Sequence, residues 1–210
     1  MTTRVMLCDD HALIRRGIRD TLAEQPDLQV VGEAGDYGEL RTLMRQQPCD
    51  VLVLDISLPG RSGLDVLHAL KEESSPVKVL IVSMYPEDQY ALRALRAGAY
   101  GYVNKGADPA QIVAAVRMVA QGRKYVTPEM AQMLVENLTA PASESAHEKL
   151  SDRELQTLVM IASGKRLSDI AEELTLSPKT VSVYRARVLE KLGLTNNSEL
   201  TVYAIRNGLV

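Results

Sequence analysis

Short apolar runs alternate with helical patterns through roughly the first 120 residues, and few architectures accept that order. Val5-Met6-Leu7-Cys8 has the make-up of a buried strand. From His11 to Gln25, Leu13, Ile14, Ile18 and Leu22 share one helical face. Leu28 to Val31 is a second strand, followed by a helix across Leu40, Leu43 and Met44. Val51-Leu52-Val53-Leu54 is a third strand, wholly apolar, as a strand covered on both faces must be. Gly63 to Lys71 reads as a helix, Val79 to Val82 as a strand, Glu87 to Ala97 as a helix and Tyr100 to Val103 as a fifth strand. Asp108-Pro109 then supplies an N-cap and a first-turn proline for a helix to about Ala120. Such alternation implies a parallel sheet with helices on both faces, whose ligands bind beyond the carboxyl ends of the strands.

Polar residues gather at those ends. The first strand runs into Asp9-Asp10, the third into Asp55, the fourth into Ser83 and the fifth into Asn104-Lys105. Each alone is an ordinary cap at a strand-to-helix turn. All of them at one sheet edge can converge. Close carboxylates repel unless a cation sits among them. Oxygen ligands with open positions suit Mg²⁺. A carboxylate there can attack a phosphoryl group, with lysine and metal stabilising the charge. The Ser83 hydroxyl can then hydrogen-bond the attached group.

The remaining chain is organised differently. Thr127-Pro128 opens another helix to about Leu138, and the small polar stretch from Thr139 to His147 reads as a linker. Beyond it every element is helical. Glu148 to Val210 carries nine basic and eight acidic residues, against 15 and 19 in the rest. The two cysteines, Cys8 and Cys49, read as reduced, core-type residues. The histidines His11, His68 and His147 are scattered without metal-ligand spacing. No apolar run reaches the ~20 residues of a membrane span, and the start has no signal-peptide layout, so the expected compartment is the cytoplasm.

Ser151-Asp152-Arg153-Glu154 is a capping box ahead of Leu155, Leu158, Val159 and Ala162. Ser168 opens a short helix with Ile170, Ala171 and Leu174; Thr175-Leu176-Ser177 turns; and Ser177-Pro178 caps a longer helix to about Lys191. A short helix, a turn and a longer helix fit helix-turn-helix geometry. On the longer helix Val181, Val188 and Leu192 face inward. Lys179, Val183, Ala186 and Arg187, flanked by Ser182, form the opposite face, small and basic as major-groove entry requires.

Residues 4–121 resemble the receiver domain of two-component response regulators. The resemblance rests on Cys8-Asp9-Asp10-His11, Leu54-Asp55-Ile56-Ser57-Leu58-Pro59-Gly60, Val82-Ser83-Met84 and Gly101-Tyr102-Val103-Asn104-Lys105. It implies a flavodoxin-like parallel sheet of order 2-1-3-4-5 and phosphorylation of Asp55 by a sensor histidine kinase. By the same resemblance Asp9, Asp10, Asp55 and the Ser57 main-chain carbonyl hold Mg²⁺, Lys105 pairs with the phosphoryl group, and Ser83 and Tyr102 form the switch. Met84 stands where many receivers carry a smaller residue, Gly106 where many carry proline, and Ser57 and Tyr85 where the family tunes dephosphorylation.

Leu150 to Val210 resembles the four-helix DNA-binding domain of the LuxR/NarL/FixJ type. The motifs are Leu150-Ser151-Asp152-Arg153-Glu154, Ile170-Ala171-Glu172-Glu173-Leu174, Ser177-Pro178-Lys179-Thr180-Val181-Ser182-Val183-Tyr184, Lys191-Leu192-Gly193-Leu194 and Ala204-Ile205-Arg206-Asn207-Gly208-Leu209. This likeness implies that Ser182, Val183 and Ala186 face base edges. Lys179, Thr180, Tyr184, Arg185 and Arg187 would hold phosphates of double-stranded DNA. The last helix, Asn197 to Asn207, is where such domains form homodimers. The expected division is a receiver over 1–124, a helix and linker over 125–147 and a DNA-binding domain over 148–210.

Three other readings compete. A small-molecule-sensing LuxR protein would want an aromatic pocket, yet the chain has no Trp or Phe. An aspartyl phosphohydrolase needs an acidic residue shortly after the nucleophile, where Ser57 stands instead. A receiver that binds DNA without phosphorylation would be unaffected by Asp55→Asn.

Overall fold

The computed structural model describes residues 2–139 and 146–210. They form two compact units divided between Thr139 and Ala140.

The first unit carries β1 (Thr3–Cys8), α1 (Ala12–Ala23), β2 (Leu28–Ala34), α2 (Tyr37–Gln46), β3 (Val51–Leu54) and α3 (Gly63–Glu72). It continues through β4 (Lys78–Ser83), α4 (Glu87–Ala97), β5 (Gly101–Asn104), α5 (Pro109–Ala120) and α6 (Pro128–Thr139). The five strands form one parallel sheet in the order β2-β1-β3-β4-β5. β1 and β3, central and covered on both faces, are apolar throughout their paired segments. One side of the core unites Val5, Leu7, Val51, Val53, Leu80, Val82 and Val103 with Ile18 and Leu22 of α1 and Ile112, Val116 and Val119 of α5.

Local chemistry fixes the helix starts. Asp36, Ser62 and Asp108 each accept a hydrogen bond from a first-turn amide, and Pro109 sits where no backbone donor is needed. Gly63 has a tertiary reason to be glycine. A Cβ there would stand 2.0 Å from the Asp55 carbonyl oxygen, so α3 can start this close to the end of β3 only without a side chain. One expectation fails at α1. Leu13, expected to share the apolar face, is exposed, whereas Ile18 and Leu22 are buried. At about 100° per residue Leu13 stands about 180° from Leu22 and about 140° from Ile18, so it projects from the opposite face of α1.

The second unit begins with a 3₁₀ turn (Ala146–Lys149), followed by α7 (Asp152–Ala162), α8 (Leu167–Glu173), α9 (Pro178–Leu192) and α10 (Asn197–Arg206). The turn occupies the end of the expected linker. His147 Nδ1 lies 3.1 Å from the Tyr203 hydroxyl oxygen of α10. Positions 140–145 of that linker lie outside the described residues. The Ser151 capping box forms, with the Ser151 amide donating to Glu154 Oε2 at 2.8 Å. α8 starts one residue before Ser168; the Arg166 amide donates to Asp169 Oδ2 at 3.3 Å, placing the cap upstream. Thr175 takes φ +53° in the turn before α9, a left-handed conformation usually left to glycine or asparagine.

Candidate functional site

The carboxyl end of the sheet gathers the polar residues at one point. Asp9 and Asp55 are buried there; Asp10 is partly covered and His11 exposed. Lys105 reaches in from the end of β5. Its ammonium stands 2.6 Å from Asp9 Oδ2 and 2.7 Å from Asp55 Oδ2, with a side chain only 1% exposed. The Asp9 carboxylate also accepts the His11 amide through Oδ1 at 2.8 Å, and Arg15 donates to the Asp9 carbonyl.

Asp55 has one feature that structural packing does not require. Oδ2 is held by Lys105, but Oδ1 is buried with no hydrogen-bond partner. An orphaned buried oxygen is costly unless something else is to engage it. Burial pushes the Asp55 carboxyl pKa up from its usual range; Lys105 opposes that shift and Asp9 adds to it. The half-buried Ser57, two residues on, has its amide close enough to favour the charged form. Donor atoms of Asp9, Asp10, His11 and Asp55 all lie within 4.8 Å of one another. Mostly carboxylate oxygen, with Oδ1 of Asp10 and of Asp55 both lacking a hydrogen-bond partner, this set fits a hard divalent cation.

Ser83 and Tyr102, the residues expected to form the switch, meet nearby. Ser83 is fully buried at the end of β4 and accepts the Tyr85 amide at 3.3 Å. The Tyr102 ring is wholly buried, its hydroxyl donating to the Tyr85 carbonyl at 2.7 Å. Burial pushes the Tyr102 phenol well up, and a hydrogen bond with Ser83 acts in the other direction. Asn104 Nδ2 donates to the same Tyr85 carbonyl at 3.2 Å. Tyr85 therefore joins Ser83 to Tyr102 through its backbone, and its ring stacks on Tyr90 with centroids 4.6 Å apart. A side-chain motif could not reveal this junction, because the linking groups are main-chain atoms. Met84 points outward, 64% exposed, beside the same turn.

His11 is the other residue that sequence spacing missed. The histidines are far apart along the chain. The turn after β1 nevertheless brings the His11 ring to the acidic cluster, with Nδ1 2.6 Å from Asp10 Oδ1.

In the second unit α9 divides as the helical wheel requires. Val181 and Val188 are fully buried. Leu189 joins them, while Leu192 at the helix end is only half-buried. Lys179, Ser182, Val183, Ala186 and Arg187 are exposed; Thr180, Tyr184 and Arg185 are half-buried. Two of these have partners within the unit. Thr180 Oγ1 lies 2.8 Å from the capping Ser177 Oγ, and Arg185 Nε donates to Asn197 Oδ1 at 2.5 Å. Beneath α9, Lys191 reaches the buried Glu154 carboxylate at 2.7 Å.

Residues 5–117 match the family described as the response regulator receiver domain, and residues 148–204 match the LuxR family of bacterial regulatory proteins. The chain belongs to the LuxR-type response regulators. It is a DNA-binding transcription regulator of a two-component system, not a classical enzyme. The response regulator GacA of Pseudomonas protegens is 40% identical over 207 residues, covering 99% of this chain and 97% of the relative. The response regulator UvrY of Escherichia coli K12 is 38% identical over 206 residues, covering 98% and 94%. Among solved structures, RcsB from Salmonella enterica serovar Typhimurium, bound to the rprA promoter with the phosphomimetic BeF3⁻, is similar with a TM-score of 0.66. It is 26% identical, covering 97% of this chain and 98% of RcsB. A further structure holds two RcsB dimers on two parallel DNAs, at TM-score 0.61 and 25% identity, covering 97% and 98%. Among the described residues of this response regulator, no helix is long and apolar enough to cross a membrane.

Proposed function

We propose that Asp55 is the residue through which this response regulator is switched, accepting a phosphoryl group from the phosphohistidine of a sensor histidine kinase. The unengaged, buried Asp55 Oδ1 beside the Lys105 ammonium carries this reading. One oxygen of the Asp55 carboxylate attacks phosphorus; the P–N bond breaks, its electron pair leaves with the imidazole, and that nitrogen takes a proton from solvent. The rise in the Asp55 pKa makes its carboxylate a more basic nucleophile. Lys105 neutralises charge on the transferred oxygens and remains as their counter-ion.

Asp9, Asp10, Asp55 and the Ser57 main-chain carbonyl are the residues suited to hold Mg²⁺. Bound there, the ion supplies Lewis-acid neutralisation of phosphoryl oxygens. Ser83 then donates its hydroxyl to the phosphoryl group and releases the Tyr85 amide, and Tyr102 reports the change through the Tyr85 carbonyl. The same chemistry extends to autophosphorylation from small acyl-phosphate donors and a slow return by autodephosphorylation, without turnover of an external substrate.

The DNA-binding unit would place α9 in the major groove. Ser182, Val183 and Ala186 lie against base edges, while Lys179, Thr180, Tyr184, Arg185 and Arg187 hold phosphates. The exposed, small and basic face of α9 supports this assignment. Arg185, braced by Asn197, is pre-set for a phosphate. Two half-sites favour a homodimer, the state in which RcsB is found on DNA. We divide the cytoplasmic protein into a receiver over 1–124, a connecting helix and linker over 125–147, and the DNA-binding domain over 148–210.

The test combines two measurements on the full chain. With acetyl phosphate and Mg²⁺, intact mass should rise by one phosphoryl group in the wild type and not in Asp55→Asn. DNA affinity should respond to the donor only in the wild type. In both proteins Lys179→Ala should lower the slope of log affinity against log salt by about one. A phosphorylated Asp55→Asn protein would refute the assignment.

A further inference from the structure

We propose that His11 is a metal ligand of the acidic pocket, and that its imidazole tilts this pocket toward Mn²⁺ relative to Mg²⁺. The proposal rests on the metal-binding reading of Asp9, Asp10 and Asp55 and adds a specificity-determining residue to it.

The geometry comes first. Each of the four side chains Asp9, Asp10, His11 and Asp55 offers a donor atom, and these atoms lie within 4.8 Å of one another. With bonds of about 2.0–2.1 Å, two ligands of one octahedral ion stand about 3 Å apart when adjacent and about 4.2 Å apart when opposite. The separations here are within about 1 Å of those an octahedral ion sets between its ligands. The buried, unengaged Oδ1 of Asp55 points independently to a ligand at this place. Lys105 does not compete for all of the oxygens, since it takes Oδ2 of Asp9 and Oδ2 of Asp55.

Apart from its contacts with the Asp9 and Asp10 carboxylates, the ring of His11 neither caps its helix nor fills the core. Its residue occupies the N-cap position of α1, yet its side chain makes no capping hydrogen bond. Nor is it core packing, because the side chain is 54% exposed. What holds it in place is the backbone: the His11 amide donates to Asp9 Oδ1 at 2.8 Å, which ties the turn to the pocket. Nδ1 then lies 2.6 Å from Asp10 Oδ1 and 3.5 Å from Asp9 Oδ1. An ion shared by the carboxylates would take the place of this contact, with the ring nitrogen as one of its ligands.

Donor chemistry supplies the specificity. Mg²⁺ takes oxygen ligands and gives up its waters reluctantly. Imidazole suits the borderline first-row ions, and Mn²⁺ accepts both nitrogen and oxygen. One nitrogen among the carboxylates therefore strengthens Mn²⁺ binding and leaves Mg²⁺ binding almost unchanged.

The full chain would be titrated with Mn²⁺ and with Mg²⁺ by calorimetry. Mn²⁺-loaded protein would then be read by electron spin echo spectroscopy for ¹⁴N coupling. His11→Ala should weaken Mn²⁺ about tenfold and Mg²⁺ less than about twofold. The wild type should show imidazole nitrogen coupled to Mn²⁺, and the variant should lose that signal. His11→Asn, which offers an amide oxygen, should retain Mg²⁺ affinity and still lose the Mn²⁺ preference. Equal weakening of both ions, or no ¹⁴N coupling in the wild type, would overturn the role of His11. Asp10→Asn separates the two levels. If it leaves both ions bound as before, the metal reading itself fails. If it abolishes both while His11→Ala leaves their ratio unchanged, only the histidine's part fails.

Discussion

Each unit of the protein holds a buried carboxylate against a lysine ammonium, and the two pairs are finished differently. In the receiver, Lys105 sits 2.7 Å from Asp55, whose second oxygen has no partner and whose pKa is pushed up by burial. In the DNA-binding unit, Lys191 sits 2.7 Å from Glu154, whose carboxylate also accepts the Ser151 amide. Burial raises the Glu154 pKa, but Lys191 and Ser151 outweigh it and hold the carboxyl below its ordinary value. A completed pair of this kind stabilises a fold. An incomplete one keeps a polar site at some expense in stability, which is the pattern expected where an atom has chemistry to do.

Filling the space beside the incomplete pair should have the largest effect. Gly63→Ala puts a methyl group into the Asp55 backbone, and something must shift. We expect about 3 kcal/mol of receiver destabilisation and loss of Asp55 phosphorylation. Hydrogen exchange along the chain should show protection falling in β3 and α3 and remaining unchanged in α7–α10.

Breaking the completed pair ranks second. Lys191→Met leaves the Glu154 charge buried with fewer partners. Because Lys191 is 40% exposed, water offsets part of the loss, and about 2 kcal/mol is expected in the DNA-binding unit. The pH dependence has a definite sign. Glu154 has a folded pKa below its unfolded one, so its contribution is present above the ordinary carboxyl range and is lost as pH falls through the folded value. The gap between wild type and Lys191→Met should therefore narrow in acid; a gap that widens would contradict the paired reading.

The smallest effect has the opposite sign. Asp55 has a folded pKa above its unfolded one, so the folded state favours its neutral form. That stability is present below the unfolded pKa and lost as pH rises through the folded one. Asp55→Asn should accordingly raise receiver stability near pH 7 by about 1 kcal/mol, or a few degrees in Tm, and the advantage should fade in acid. A variant less stable than wild type at neutral pH would mean that the Lys105 contact outweighs the burial cost.

Much of this was legible along the chain because backbone periodicity and capping are local. The wholly apolar Val51–Leu54 run, the Asp108-Pro109 start of α5 and the Ser151–Glu154 capping box each follow from short-range sterics and hydrogen bonding. So does the gathering of Asp9, Asp55, Ser83 and Lys105, since parallel strands must end their chemistry on one edge. Apolar character alone misleads at two places: Leu13 stands about 180° round α1 from Leu22 and is exposed, and Leu189 is covered where the wheel stressed Leu192.

Sequence alone thus determined the element order, the sheet edge where the polar residues gather and the exposed, small and basic side of α9, because each depends on residues close together in the chain. Tertiary structure decided which oxygen of Asp55 is engaged, that Tyr85 links Ser83 to Tyr102 through its main chain, and that His11 joins the acidic cluster. Those are distances between atoms brought together by folding, where a displacement of about an ångström separates a hydrogen bond from an empty lone pair.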